Sequence, residues 1–121
     1  MRRAKVMVVD DSPTDLKLMS EPFLAEGYDL ITAKDGEEAL RKAEAEQPDL
    51  IVLDVIMPKR NGFNVCRHIK NSIKLKDIKV ILLTSKNQES DKFWGEKQGA
   101  DAYMTKPFSG EDLLAAANQL L

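Results

Sequence analysis

Residues 6–13 read Val-Met-Val-Val-Asp-Asp-Ser-Pro. Four consecutive apolar residues suit a strand buried on both faces, and Ser12-Pro13 suits the N-cap and first position of a helix. Asp15, three residues after Ser12, completes a capping-box-like spacing. The step from strand to helix therefore falls on the acidic pair Asp10-Asp11. The same pattern recurs along the chain. Apolar runs at about 5–9, 28–33, 50–55, 79–84 and 102–105 alternate with five segments of helical pattern. Strand–helix alternation of this kind gives an α/β domain with a parallel sheet. The second run, Tyr28-Asp29-Leu30-Ile31-Thr32, alternates more and reads as an edge strand.

The helix signals agree. Gly27 fits the end of the first helix, and Asp35-Gly36 opens 37–46, which stops at Gln47-Pro48. Lys59-Arg60-Asn61-Gly62 is the turn before a helix over 63–71. The next segment, 88–98, carries Phe93 and Trp94 and ends at Gly99. Ser109-Gly110-Glu111-Asp112 caps the last helix, whose Leu113, Leu114, Ala117 and Leu120 form an apolar stripe. Pro22 lies inside the first helix, where it removes a donor and crowds the Leu18 carbonyl, so a bend or a widened turn is expected there.

Size and composition narrow the classes. A chain of 121 residues is one domain, large enough to bury about two-thirds of its unfolded surface. The apolar fraction of 43% and charged fraction of 31% are those of a globular protein. A net charge of −2 gives no electrostatic footprint for nucleic acid or an anionic membrane. No stretch suits a membrane span or a signal peptide, so the cytoplasm is the expected compartment. The single Cys66 excludes an internal disulfide and a cysteine metal cage, and reads as a small packed thiol on a helix.

In a parallel sheet the carboxyl ends of the strands share one edge, where ligands bind. That edge would gather Asp10 and Asp11, Asp54 after Leu50-Ile51-Val52-Leu53, Thr84 after Val80-Ile81-Leu82-Leu83, and Lys106 after Ala102-Tyr103-Met104-Thr105. Crowded carboxylates repel unless a cation joins them, and hard divalent ions choose oxygen ligands. A carboxylate can also attack phosphorus. The set suits magnesium-assisted phosphoryl transfer onto an aspartate, with Asp54 the nucleophile and Lys106 a fixed positive charge.

The motifs Val-Val-Asp-Asp-Ser (8–12), Leu-Asp-Val-Ile-Met-Pro (53–58), Asn-Gly-Phe (61–63), Leu-Thr-Ser (83–85) and Thr-Lys-Pro-Phe (105–108) carry a resemblance. Together they resemble the receiver domain of bacterial two-component response regulators, over essentially the whole chain. The tract 88–100 is similar to single-domain regulators of pilus-based motility and chemotaxis-like pathways. The resemblance implies a single doubly wound five-stranded parallel sheet of flavodoxin-like order 2-1-3-4-5 with five helices. It implies that Asp54 is the phosphoacceptor, and that Asp11 and Asp54 hold Mg2+ directly. Asp10 would act mainly through water, and Ile56 through its backbone carbonyl. It implies a cis bond between Lys106 and Pro107, and a switch pair of Thr84 and Tyr103. The phosphodonor would be a histidine kinase or phosphotransfer protein. His68, mid-helix without an acidic partner, is no phosphodonor. Output would pass to a partner over the face made by 88–98, the fifth strand and the last helix, or the chain is a fragment of a longer regulator. The chain would be no enzyme beyond its own phosphorylation and dephosphorylation.

Two other classes compete. An aspartate-nucleophile phosphohydrolase of the haloacid dehalogenase type needs an acid two residues after the nucleophile, and Ile56 cannot move a proton. A flavodoxin-like cofactor binder needs a first loop rich in Ser, Thr and Gly, where Asp10-Asp11 would repel phosphate.

Overall fold

The computed structural model describes residues 4–57, 59–84 and 98–121. Five strands form one parallel sheet: β1 Lys5–Val9, β2 Asp29–Ala33, β3 Leu50–Asp54, β4 Lys79–Thr84 and β5 Ala102–Thr105. Their order is β2-β1-β3-β4-β5, as expected, with β2 at an edge. Four helices are present among the described residues: α1 Pro13–Ala25, α2 Gly36–Glu46, α3 Gly62–Asn71 and α4 Gly110–Leu120. The further helix expected over 88–98 lies outside the described residues.

The alternation of side chains along the strands divides the core into two layers. Met7, Val9, Ile51, Leu53, Val80 and Leu82 face α2 and α3, where they meet Ala39, Leu40, Ala43, Val65, Cys66 and Ile69. Val6, Val8, Leu50, Val52, Ile81 and Leu83 face α1 and α4, where they meet Met19, Phe23, Leu113 and Ala117. Both faces of β1, β3 and β4 are thus dry, which is why their sequences are continuous apolar runs. The edge strand β2 is only partly covered, and its sequence alternates accordingly.

Each of the four described helices starts at a side-chain cap. Ser12, Asp35, Asn61 and Ser109 accept the backbone N–H three residues on, at 3.3, 2.8, 2.9 and 3.0 Å. Each such cap contributes about 1 kcal/mol. Because the helices follow strands, these caps also set where the chain turns at the carboxyl edge of the sheet.

Two local expectations are corrected. The capping box at α1 is half made: Ser12 N–H donates to Asp10 Oδ1 at 2.9 Å, and the Asp15 carboxylate turns to Lys106 instead. An ammonium within reach is a stronger partner than a backbone amide. Helix α1 also remains α-helical through Pro22, without a widened turn. Pro22 stands three residues from the last helical residue, so little helix follows the lost donor. Its own carbonyl still accepts from Glu26 N–H at 3.3 Å.

Candidate functional site

The site grows from the strand ends. In-register pairing brings Val9 beside Leu53 and Thr84 beside Thr105, so the residues that follow share one edge. Asp10 leaves β1 and is 1% exposed, whereas Asp11 is exposed. Asp54 is the last residue of β3 and is buried, and Thr84 closes β4 with no exposure. Lys106 leaves β5 and is tied across to β4 through its N–H, which donates to the Thr84 carbonyl at 2.7 Å. The Lys106-Pro107 peptide is cis.

Asp10, Asp11 and Asp54 each offer an oxygen, and these three atoms lie within 4.8 Å of one another. The Lys106 ammonium enters the same cluster. It lies 2.7 Å from Asp10 Oδ2, 3.0 Å from Asp15 Oδ2 and 3.8 Å from Asp54 Oδ2. Burial alone would lower the Lys106 pKa, but its hydrogen bonds to Asp10 and Asp15 and the charge of Asp54 more than offset this. The ammonium is therefore held charged.

Asp54 responds in the opposite sense. Burial raises its pKa to about 6; Lys106 opposes that, Asp10 and Asp11 add to it, and the Ile56 N–H bonds the carboxylate and lowers it. A carboxylate held half-protonated near pH 6 is short of positive charge. Three carboxylates facing one ammonium leave an excess of negative charge that a divalent cation would match. Oxygen-only donors at this spacing fit a hard ion such as Mg2+, and Asp10, Asp11 and Asp54 are the residues that would hold it.

The backbone around Asp54 is closely packed. Gly62, the first residue of α3, donates its N–H to the Val55 carbonyl at 2.8 Å. A Cβ on Gly62 would run into the Asp54 carbonyl and would lie 2.8 Å from Val55 Cα. The first turn of α3 therefore presses directly on the end of β3, which only glycine allows. Ile56, two residues past Asp54, is 52% exposed. Tyr103 stands on β5 beside Leu82 and packs, partly buried, against the layer under α2 and α3.

Other candidate residues are not part of this cluster. His68 is exposed on α3. Cys66 is buried on the same helix, and burial pushes its thiol up to about 11, so it is a packed, unreactive group. Phe93 and Trp94 lie outside the described residues, as does Pro58 of the motif 53–58. Two residues were read only for their local roles. Asp15 was taken as a helix-start acid and here binds Lys106. Gly62 was taken as a turn residue and here sets the close approach to Asp54. The acid at the third helical position was the available signal for the first. Nothing in the sequence marked which strand end Gly62 would meet.

Fold and site together define a doubly wound α/β protein with a cation-ready acidic crevice at the carboxyl edge of its sheet. The response regulator receiver domain family matches residues 6–118, and the chain belongs to it. It is thus a receiver domain of two-component response regulators, a signalling module activated by phosphorylation. It is 48% identical over 117 residues to the alkaline phosphatase synthesis transcriptional regulatory protein PhoP of Bacillus subtilis, covering 97% of this chain and 48% of that protein. It is 37% identical over 118 residues to protein PilH of Pseudomonas aeruginosa, covering 98% of each. Chemotaxis response regulator CheY4 of Vibrio cholerae superposes with a TM-score of 0.92 at 34% identity, over 99% of this chain and 100% of that one. The chain spans about half the length of PhoP and nearly all of PilH. No helix among the described residues is long and apolar enough to cross a membrane.

Proposed function

We propose that Asp54 accepts a phosphoryl group from a histidine kinase or phosphotransfer protein, in a Mg2+-assisted reaction, and that the phosphorylated chain signals through an altered partner-binding surface. The observation that carries this is the convergence of three carboxylate oxygens within 4.8 Å with the Lys106 ammonium among them.

In the transfer, an Asp54 carboxylate oxygen attacks phosphorus. The bond from phosphorus to the donor nitrogen breaks, and its electron pair stays on that nitrogen. The product on this chain is an acyl phosphate. Charge spreads over the phosphoryl oxygens in the transition state, so catalysis is mostly positioning and electrostatics. Lys106 supplies a fixed positive charge beside Asp54. The Thr84 hydroxyl, at the end of the adjacent strand, would bond a phosphoryl oxygen. Mg2+, held by Asp10, Asp11 and Asp54 with the Ile56 carbonyl, would neutralise charge on the transferred group. Asp54 must be ionised to attack, and the cation held beside it would favour that form.

Output is assigned to the face formed by the segment after Thr84, β5 and α4, with Thr84 and Tyr103 as the coupled pair. Support comes from the direct link between the end of β4 and Lys106, and from the part-buried position of Tyr103 on β5. Phosphate acts through its different interactions with two pre-existing states. The partner is a separate protein, as for a single-domain regulator, or an adjoining output domain. A cytoplasmic location is the compartment that such transfer suits.

The test is direct. The protein is incubated with a small acyl phosphate and magnesium and weighed intact. One added phosphoryl group is expected, absent in Asp54→Asn and in excess chelator. Full phosphorylation of Asp54→Asn would remove the assignment.

A further inference from the structure

Asp15 is the one acid in contact with Lys106 that phosphoryl transfer leaves without a role. It stands in the first turn of α1, and its carboxylate takes one Lys106 hydrogen bond at 3.0 Å. Asp10 takes another at 2.7 Å, while Asp54 lies at 3.8 Å, beyond hydrogen-bond reach. The two partners differ in kind. Asp10 is 1% exposed and its other oxygen is fixed by Ser12 N–H, so it is a permanent anchor. The Asp15 side chain is 39% exposed. Beyond the pair opens a cavity of about 630 Å³ that both residues line, with Leu18, Pro22 and Phe108 behind them. Lys106 therefore has room on the Asp15 side and is drawn toward it.

We propose that Asp15 is a positioning residue that restrains the Lys106 ammonium in the resting protein and competes for it with the phosphoryl group on Asp54. The inference rests on Asp54 being the phosphoacceptor. An ammonium has three donors and one charge. In the resting protein Asp10 and Asp15 share them, and the nucleophile is the most distant of the three acids. A phosphoryl group on Asp54 adds anionic oxygens at the one acid of the three that Lys106 does not yet bond. Lys106 then moves to them, keeps its buried anchor Asp10, and gives up the exposed partner. Partly exposed pairs shift equilibria by about fivefold at most. Asp15 thus sets a modest threshold against activation.

The experiment measures beryllofluoride binding, as a phosphoryl mimic, by 19F NMR titration in saturating Mg2+. The full chain is compared with Asp15→Asn, Asp15→Glu and Glu21→Gln. The Asp15 N–H that meets the Ser12 cap is backbone and survives each change at position 15. Asp15→Asn is expected to bind about three- to fivefold more tightly, and Asp15→Glu to stay within twofold of the parent. Glu21 lines the same cavity but has no bond to Lys106, so Glu21→Gln controls for bulk negative charge and should shift binding less than twofold. Loss of a merely structural contact would loosen the site, so the sign separates the two roles. Unchanged or weaker binding by Asp15→Asn overturns the proposal, and so does equal tightening by Glu21→Gln. Parallel phosphorylation of the parent by an acyl phosphate, read by intact mass at Asp54, separates the cases. If the parent is phosphorylated and Asp15→Asn behaves like it, only this inference fails. If the parent takes up neither group, the phosphoacceptor assignment fails with it.

Discussion

Replacing Asp54 by Asn should stabilise the metal-free protein at neutral pH, by an amount that depends on pH in a defined way. The Asp54 carboxyl is buried beside two other acids and has its pKa raised from 3.8 to about 6 in the folded state. In the unfolded chain it returns to the ordinary value. Between those pH values the folded state holds a proton that the unfolded state has lost. Stability then falls as pH rises through that window and is level above it. A shift of roughly two units corresponds to about 3 kcal/mol. With Asp54 only 11% exposed, little of this is screened by solvent. Asn has nearly the same shape, carries no charge to desolvate, and leaves Lys106 paired with Asp10 and Asp15.

The expected outcome is a stability gain of about 2–3 kcal/mol at pH 7, shrinking to near zero by pH 4. For a domain of this size the gain at pH 7 corresponds to roughly 8–12 °C in Tm. The assay is urea denaturation of both proteins at pH 4, 5, 6 and 7 in excess chelator. The quantity to follow is their difference, since other groups titrate equally in both. Asp35 is one of these: its bond from Glu38 N–H holds its pKa low, which costs stability as pH falls toward 4 and below. A second arm adds Mg2+ at pH 7. Binding stabilises the parent by mass action and should narrow the gap, with a smaller effect on the variant, which lacks one ligand. A gap independent of pH, or an Asn variant less stable than the parent at pH 7, would refute the account of Asp54 as a carboxylate strained by burial and like charge.

Four further outcomes are expected. Gly62→Ala should destabilise by about 1–3 kcal/mol and slow Asp54 phosphorylation, because its Cβ would force α3 away from β3; denaturation and intact mass read the two effects. Gln47 sits at φ 51°, a left-handed position just before Pro48, so Gln47→Gly should raise stability by up to about 1 kcal/mol in thermal melts. Ile56→Asn should leave stability within about 0.5 kcal/mol but speed loss of phosphate about fivefold, since the exposed apolar side chain cannot orient water and an amide can; an unchanged or slower rate counts against this. Beryllofluoride should change amide exchange over residues 84–105, and fluorescence of Trp94, the sole tryptophan; unchanged exchange with the mimic bound would remove the output face assigned above.

What the sequence revealed, and what it hid, divides along a physical line. Strands β1, β3 and β4 were legible because burial on two faces demands long apolar runs, and the sheet edge at β2 was legible because partial cover demands alternation. The starts of α1, α2 and α4 were legible because an N-cap needs one of a few side chains at one position, and that of α3 from its turn residues. The acids and the lysine were legible as a group because each directly follows an apolar run, and parallel strands bring such positions together. The parts that stayed hidden depend on distances between elements distant in sequence. Asp15 and Lys106 are 91 residues apart, and their contact depends on how α1 sits against the turn leaving β5. A local rule assigned Asp15 to the backbone of its own helix, and a stronger tertiary partner overrode it. Gly62 is similar: its turn-forming use was visible, but its contact with Asp54 exists only once α3 is packed. At Pro22 the widened turn is absent because a rule for helix interiors was applied near a helix end, where the missing donor costs little. Sequence therefore names the groups that meet at this sheet edge well, while the forces that set their charge and reach come from packing. For that reason the tests that matter most here perturb Asp15, Asp54 and Gly62, where packing rather than residue type decides the chemistry.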